Sequence, residues 1–170
     1  LAGLLHKAAK TGAPLVAFEP AFGMMLRQEY ANIGLSVPRV QMPQEFLARE
    51  TAARRFPQAR RSVAAKLLSH CTEATAQPQS GTQWASVFEA LGVRVETPAT
   101  GCCGMAGLFG YQKRHQDVST RLFDMSWRPQ VEGEGEIMAT GFSCRCQIER
   151  LSGKEPRHPM GVIADLLKSA

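Results

Sequence analysis

The sequence predicts an α/β domain, with a mostly parallel sheet of about four strands flanked by helices in a three-layer arrangement. Two observations favour this class. Short β-rich runs alternate with longer segments in which apolar residues recur at helical spacing, and this alternation is typical of βαβ units. Cysteines also follow three of the predicted strands. Because the carboxyl ends of parallel strands share one edge of a sheet, these cysteines are expected to lie close together.

The first half of the chain gives two predicted strands and two predicted helices. Residues 14–20 form the first strand, and an amphipathic helix follows it until Gly34. A second helix is expected to begin at Pro43, and the strand at residues 62–70 runs directly into Cys71. The apolar residues at helical spacing in the first helix are Phe22, Met25 or Leu26, Tyr30 and Ile33.

The second half alternates in the same way. Strands are predicted at residues 93–97 and 137–140, on either side of the glycine-rich segment that begins at Gly101. Three helices are predicted from their apolar faces, and Gly92 ends the first of them. Their apolar residues are Trp84, Val87, Phe88 and Leu91; Val118, Leu122 and Met125; and, after a start at His158-Pro159, Val162, Ile163, Leu166 and Leu167.

Composition restricts the class of protein. The 170 residues suit one domain, with 44% hydrophobic and 21% charged residues, and no apolar run is long enough to cross a bilayer. The start of the chain lacks signal-peptide features, and a fragment of a longer polypeptide is expected. The net charge is +5, and basic residues gather in one stretch that contains Arg49, Arg54, Arg55, Arg60, Arg61 and Lys66. This stretch is either a solvated helix and loop or a docking surface. Aromatic residues are too few to favour nucleic-acid binding.

The cysteines carry the predicted chemistry. Adjacent cysteines are poorly placed to pair in disulfides, so the five cysteines are expected to be reduced in a cytoplasm-like compartment. Cys71, Cys102, Cys103 and Cys144 would supply four thiolates for Zn²⁺ or an iron–sulfur cluster. Small buried hydrophobes are the alternative interpretation of free cysteines. The glycines that would bring backbone N–H groups close to sulfur are Gly101, Gly104 and Gly107.

Four further residues are additional candidates. His70 precedes Cys71 and is either a further ligand or a hydrogen-bonded strand-end histidine. His158 either caps a helix or contacts the site. Arg145 would lower thiol pKa values or bind a substrate carboxylate, or it forms a salt bridge. Cys146 is a ligand, a redox partner or a spectator.

Several motifs resemble those of the CCG, or cysteine-rich, domain family. They are His70-Cys71, Gly101-Cys102-Cys103-Gly104-Met105-Ala106-Gly107, Thr140-Gly141-Phe142-Ser143-Cys144-Arg145 and Arg157-His158-Pro159. The family occurs in heterodisulfide reductase, in the iron–sulfur component of glycolate oxidase, and at the C-terminus of FAD-linked oxidases of the D-lactate and D-2-hydroxyglutarate dehydrogenase type. Two departures stand out: Cys144-Arg145-Cys146 replaces a CxxC, and Glu19-Pro20-Ala21-Phe22 lacks the cysteine that relatives carry there.

The resemblance implies that residues 1–170 are the C-terminal cysteine-rich domain of a larger flavoprotein that oxidises a D-2-hydroxy acid. FAD would take the hydride in an upstream domain, and Fe–S centres, including a 4Fe-4S cluster at the cysteines, would pass electrons to an acceptor. The implied partners are upstream flavin and ferredoxin-like domains of the same polypeptide, in the cytoplasm or peripheral to the inner membrane. The isolated fragment is expected to be inactive. A structural zinc scaffold and a metal-free dithiol site remain alternatives.

Overall fold

Two parallel sheets organise the part of the chain that the computed structural model describes, residues 1–54, 56–57 and 65–168. In the smaller sheet β1 (Leu15–Val16) pairs with β2 (Val40–Gln41). The larger sheet has three strands in the order β4-β3-β5, and both pairings in it are parallel. Its strands are β3 (Ala65–Leu68), β4 (Val95–Glu96) and β5 (Glu136–Ala139).

Helices connect and cover these strands. A π-helical turn at Met25–Glu29 joins α2 to α3, and two short 3₁₀ turns, Phe109–Tyr111 and Lys113–His115, precede α7. The α-helices of the described residues are α1 (Ala2–Ala9), α2 (Pro20–Met24), α3 (Tyr30–Asn32), α4 (Pro43–Ala53), α5 (Cys71–Ala76), α6 (Ser80–Ala90), α7 (Gln116–Ser126), α8 (Arg128–Val131), α9 (Phe142–Ser152) and α10 (Pro159–Lys168).

The predicted fold class is confirmed, because parallel strands are flanked by helices throughout. The strands divide between two sheets, however, where the sequence suggested one sheet of about four strands. The outer edge of β5 is covered by another segment. Arg157 N–H donates to the Ile137 carbonyl at 3.1 Å, and Ala139 N–H donates to the Arg157 carbonyl at 3.0 Å. A further strand therefore cannot pair with β5 at this edge.

The apolar face predicted for α6 is confirmed. Trp84, Val87, Phe88 and Leu91 are all at most 1% exposed and form the core between α6 and the larger sheet. Gly92 follows with a φ of 77°, a left-handed conformation that ends helices. Burial of these four side chains fixes the position of α6 on the sheet, because each buried side chain stabilises the folded state by about 1.5–3 kcal/mol.

Three other predicted faces were partly wrong. Val118 and Met125 on α7 are 50% and 78% exposed, whereas Ser119 and Phe123 are fully buried. The helix turns Ser119 inward because the backbone at Gly104 packs against the Ser119 carbonyl. In residues 20–32 the π-helical turn shifts the register, which leaves Phe22 and Ile33 exposed. On α10 the buried residues are Val162, Ile163 and Leu166, while Leu167 is 39% exposed.

Part of the predicted basic stretch and of the strand predicted at residues 62–70 lies outside the described residues, namely Arg55, Arg60, Arg61 and residues 62–64. Within the described chain, Arg49 and Arg54 both form ion pairs with Glu50 on α4. These pairs agree with a solvated helix face. β1 and β4 are shorter than predicted, β5 begins one residue earlier than predicted, and β2, α1, α5, α8 and α9 had no counterpart among the predicted elements.

Candidate functional site: four thiols at one sheet edge

The three loops that leave the carboxyl ends of β3, β4 and β5 carry the four predicted thiols. Cys71 is the first residue of α5, Cys102 and Cys103 lie in the loop after β4, and Cys144 lies in the first turn of α9. The parallel order β4-β3-β5 places these three loops at the same edge of the sheet. The predicted convergence of the cysteine-bearing loops is therefore seen in the structure.

The four thiols are close enough to shift one another's pKa values in two pairs, Cys71 with Cys102 and Cys103 with Cys144. Cys71 is also close enough to Cys144 to interact with it electrostatically. The pairs differ in burial, since Cys103 and Cys144 are 2% and 0% exposed while Cys71 and Cys102 are half-buried. The site thus has an inner and an outer pair of sulfurs.

Hydrogen bonding separates the pKa values of the inner pair. The Cys144 thiol donates to Cys103, and together with backbone N–H groups of Met105 and Ala106 this lowers the pKa of Cys103 to about 7. The same hydrogen bond, with burial, raises the pKa of Cys144 well above its ordinary value. Cys103 is therefore the favoured position for a thiolate, and Cys144 holds the proton that stabilises it.

Burial raises the pKa of Cys102 in the outer pair. The backbone N–H of Gly104 donates to Cys102 Sγ at 3.3 Å and opposes that shift. Successive N–H groups of residues 104–106 thus point towards the two adjacent sulfurs. Such a concave run of backbone donors, with left-handed residues in it, is the kind of structure that binds anions.

The shape of this loop depends on Gly104. Its φ is 86°, and a Cβ atom at this position would lie 2.2 Å from the Ser119 carbonyl oxygen. Only glycine fits both the conformation and the space. Gly101 fixes the other end, because its N–H donates to Ser126 Oγ at 3.0 Å and its carbonyl accepts from Trp127 Nε1 at 2.8 Å. The loop is therefore held against α7 at both ends.

His70 is the one additional candidate that lies beside the thiols. A Cβ at Gly141 would be 2.3 Å from His70 Cδ2 and 3.1 Å from Cys144 Sγ, so the imidazole packs on Gly141 next to Cys144. His70 Nδ1 accepts a hydrogen bond from Thr72 N–H at 3.2 Å, which caps α5. Burial lowers its pKa, and the neutral ring is favoured.

Arg145, His158 and Cys146 have other partners. The guanidinium of Arg145 donates to the carbonyls of Ala139 and Thr140 at 2.9 and 3.0 Å, and so caps the end of β5. His158 Nδ1 accepts from Met160 N–H at 3.2 Å at the start of α10, while burial and the Arg145 charge lower its pKa to about 4.

Cys146 lies beside Tyr111, whose pKa it raises, and follows Cys144 by two residues on α9. Two residues along a helix correspond to about 200° of rotation, so neighbours at this spacing face apart.

Two residues of the site escaped the sequence analysis. The carboxylate of Glu19 accepts a hydrogen bond from Phe142 N–H at 2.9 Å, at the start of α9. Glu73 is completely buried two residues after Cys71. The signal for Glu73 was weak, because an acidic residue in the first turn of a helix is ordinarily a surface residue.

The donor set suits a metal, although the side chains as placed do not surround one. Four cysteine sulfurs are the ligands of structural zinc and of Fe–S clusters. In the described chain, no group of three or more histidine, cysteine or acidic side chains is arranged to hold a metal ion. Rotation about the side-chain bonds would be needed to direct four sulfurs at one centre.

The fold and the clustered thiols define a cysteine-rich α/β domain, and the CCG cysteine-rich domain family matches residues 45–149. The chain belongs to that family. It is 42% identical over 161 residues to the D-2-hydroxyglutarate dehydrogenase of Pseudomonas putida, and 34% identical over 174 residues to that of Escherichia coli. These alignments cover 94% and 98% of this chain but only 16% and 17% of the relatives. No solved structure gives a significant match.

The relatives are therefore several times longer than the 170 residues of this sequence. No helix among the described residues combines the length and the apolar character required to cross a bilayer.

Proposed function

We propose that this chain is the cysteine-rich domain of an FAD-linked oxidoreductase that oxidises a D-2-hydroxy acid, and that Cys71, Cys102, Cys103 and Cys144 bind an Fe–S cluster or a metal ion for electron transfer. One observation carries the proposal: four thiols from three separate loops lie close together at one sheet edge. The similarity to D-2-hydroxyglutarate dehydrogenases supports the substrate class.

The residues of this chain would prepare the site in three ways. Backbone N–H groups of Met105 and Ala106 stabilise negative charge on Cys103, which is the ionised form that ligates metals. Burial of Cys103 and Cys144 excludes water from the inner side. His70 packs beside Cys144 and fixes the start of α5. A bound Fe–S centre would supply one-electron transfer.

The rest of the enzyme would supply the chemistry on the substrate. A flavin domain and ferredoxin-like segments of the same polypeptide are the proposed partners, with FAD taking the hydride and an electron acceptor following, in the cytoplasm. This chain alone would then be inactive towards a hydroxy acid.

Metal analysis after anaerobic purification tests the proposal. The chain should contain iron and acid-labile sulfide. Separate serine substitutions of Cys71, Cys102, Cys103 and Cys144 should each lower the iron content, because each removes a ligand. Cys146→Ser is the matched control, since a spacing of two residues on α9 turns Cys146 about 200° away from Cys144, and it should keep the wild-type content. A finding of zinc without iron or sulfide would contradict the redox centre and favour a structural zinc scaffold.

A metal-free dithiol site is the second candidate, favoured by the proximity of Cys103 and Cys144, which shift each other's pKa values in opposite directions. Two thiols in direct contact can be oxidised to a disulfide by exchange with an external disulfide. Titration of the metal-free chain with glutathione redox buffers, followed by peptide mapping, tests this candidate. A reversible Cys103–Cys144 disulfide is expected, and failure to form one over the whole range of buffers would eliminate it.

A further inference from the structure

Glu73 is a fully buried carboxylate for which the proposed electron transfer has no use. It lies on α5, two residues after Cys71. Burying a carboxylate is costly unless hydrogen bonds replace its hydration. The donors that reach Glu73 in the described chain are neutral groups of three other residues, the hydroxyls of Ser80 and Thr140 and the indole N–H of Trp84, the last at 3.2 Å.

These hydrogen bonds connect two of the cysteine-bearing segments. Thr140 directly follows β5 and comes four residues before Cys144. Its hydroxyl donates to Glu73 Oε2 and accepts from the backbone N–H of His70 at 2.9 Å. The Thr140 side chain is therefore bonded to the residue before Cys71 and to the residue two after it. Both contacts hold the start of α5 against the end of β5.

The other carboxylate oxygen anchors this connection to the core. Glu73 Oε1 accepts from Ser80 and Trp84 on α6. Ser80 in turn accepts from Gln44 Nε2 at 2.9 Å, which extends the network to α4. Trp84 is 1% exposed and belongs to the main hydrophobic core. The position of Glu73 is thus fixed by the best-packed part of the domain.

We propose that Glu73 and Thr140 are positioning residues that set the distance between the Cys71 and Cys144 segments, and so fix where Cys71 and Cys144 lie in the site. Buried polar networks add little net stability compared with apolar packing, but they define one arrangement of the groups they join. That this positioning serves metal binding rests on the proposed function. The placement of the thiols itself does not depend on any metal.

Thr140→Val is the most direct perturbation. It keeps the branched shape but removes the hydroxyl, which leaves Glu73 Oε2 and the His70 N–H without this partner. Thr140→Ser keeps the hydroxyl and is the matched control. Glu73→Gln is milder, because its amide can still bond Ser80, Trp84 and Thr140 while the negative charge is lost. Val87→Ala, on the core face of α6, controls for general loss of stability.

Cobalt(II) is a suitable probe because bound thiolates give it a visible charge-transfer band. In titrations of the metal-free full chain, Thr140→Val should weaken Co²⁺ binding about 10- to 100-fold, as loss of a residue that orients ligands does. Thr140→Ser should restore wild-type affinity and the wild-type band, and Glu73→Gln should lie between them. Wild-type affinity in Thr140→Val, or an equal loss in Val87→Ala, would overturn the proposal.

Disulfide mapping keeps the test independent of metal binding. Brief oxidation of the metal-free wild type with diamide should give a Cys103–Cys144 link, and its yield should fall in Thr140→Val but not in Thr140→Ser. An unchanged yield in Thr140→Val would contradict the positioning role. If the wild type bound neither Co²⁺ nor iron, the proposed metal centre would fail, and this mapping alone would decide the role of Glu73 and Thr140.

Discussion

Replacement of Gly104 by alanine should destabilise the domain far more than the same change at Gly107. Both residues have left-handed φ values, 86° and 65°, which cost an L-residue about 1–2 kcal/mol. The two positions differ in the space available for a Cβ atom. A Cβ at Gly104 would lie 2.2 Å from the Ser119 carbonyl oxygen and 3.2 Å from Gln147 Nε2, whereas nothing lies within 4 Å of a Cβ at Gly107.

The contact at Gly104 adds a steric cost, because the clashing atom belongs to backbone and cannot rotate away. Forcing extra volume into such a site costs about 1–3 kcal/mol, so the total for Gly104→Ala is about 2–5 kcal/mol. A chain of this size loses about 2–4 °C of Tm for each kcal/mol, which gives a fall of about 10 °C. Gly107→Ala should lose about 4 °C on the same scale.

Thermal unfolding followed by far-ultraviolet circular dichroism measures both changes. The conformational entropy that alanine removes from the unfolded chain is the same in the two variants and cancels from the comparison. Equal losses of Tm would refute the packing of the loop on α7. The Gly104 variant should also lose the N–H contact to Cys102, and with it part of the metal affinity, whereas the Gly107 variant should retain wild-type affinity.

Three further outcomes are expected. Because the pKa of His158 is about 4 when folded and 6.5 when unfolded, unfolding takes up a proton between these values, so stability should fall as pH drops from 6.5 to 4. After allowing for the partial exposure of His158, the loss in the free energy of unfolding is about 1–2 kcal/mol. Denaturant melts of His158→Asn should show a weaker dependence of stability on pH. In the metal-free chain, ultraviolet titration should find the Cys103 thiolate forming near pH 7, and Cys144→Ala should move that midpoint upwards by removing the donor. Glu19→Ala should cost about 1 kcal/mol in thermal unfolding, because the Phe142 N–H at the start of α9 loses its acceptor; no change in Tm would contradict that cap.

Apolar periodicity predicted α6 because its four large residues all contact one core. The same reasoning misplaced the face of α7, since the inward residue there is Ser119, which is held by Gln147 and by the close approach of Gly104. A polar residue buried by such contacts leaves no apolar pattern to detect. The sequence could likewise not show that a π-helical turn would rotate Phe22 and Ile33 into solvent.

The convergence of the cysteines was predictable because parallel strands end at one edge, whatever their length. The separate role of Cys146 was not, because the helix that starts at Phe142 was missed. Once α9 is known, a spacing of two residues already separates Cys144 from Cys146. Glu73 could not be found from sequence either, since its partners Ser80 and Thr140 meet it only in the folded chain.

The unequal exposure of the four sulfurs means that a molecule from solvent reaches one pair before the other. An ion or reagent arriving from solvent meets Cys71 and Cys102 first and reaches the enclosed Cys103 and Cys144 only past them or when the loop opens. Assembly of a centre would therefore begin at the outer pair, and oxidative loss would start there as well. Alkylation of the metal-free chain should follow the same sequence, with Cys144 as the last of the four to react.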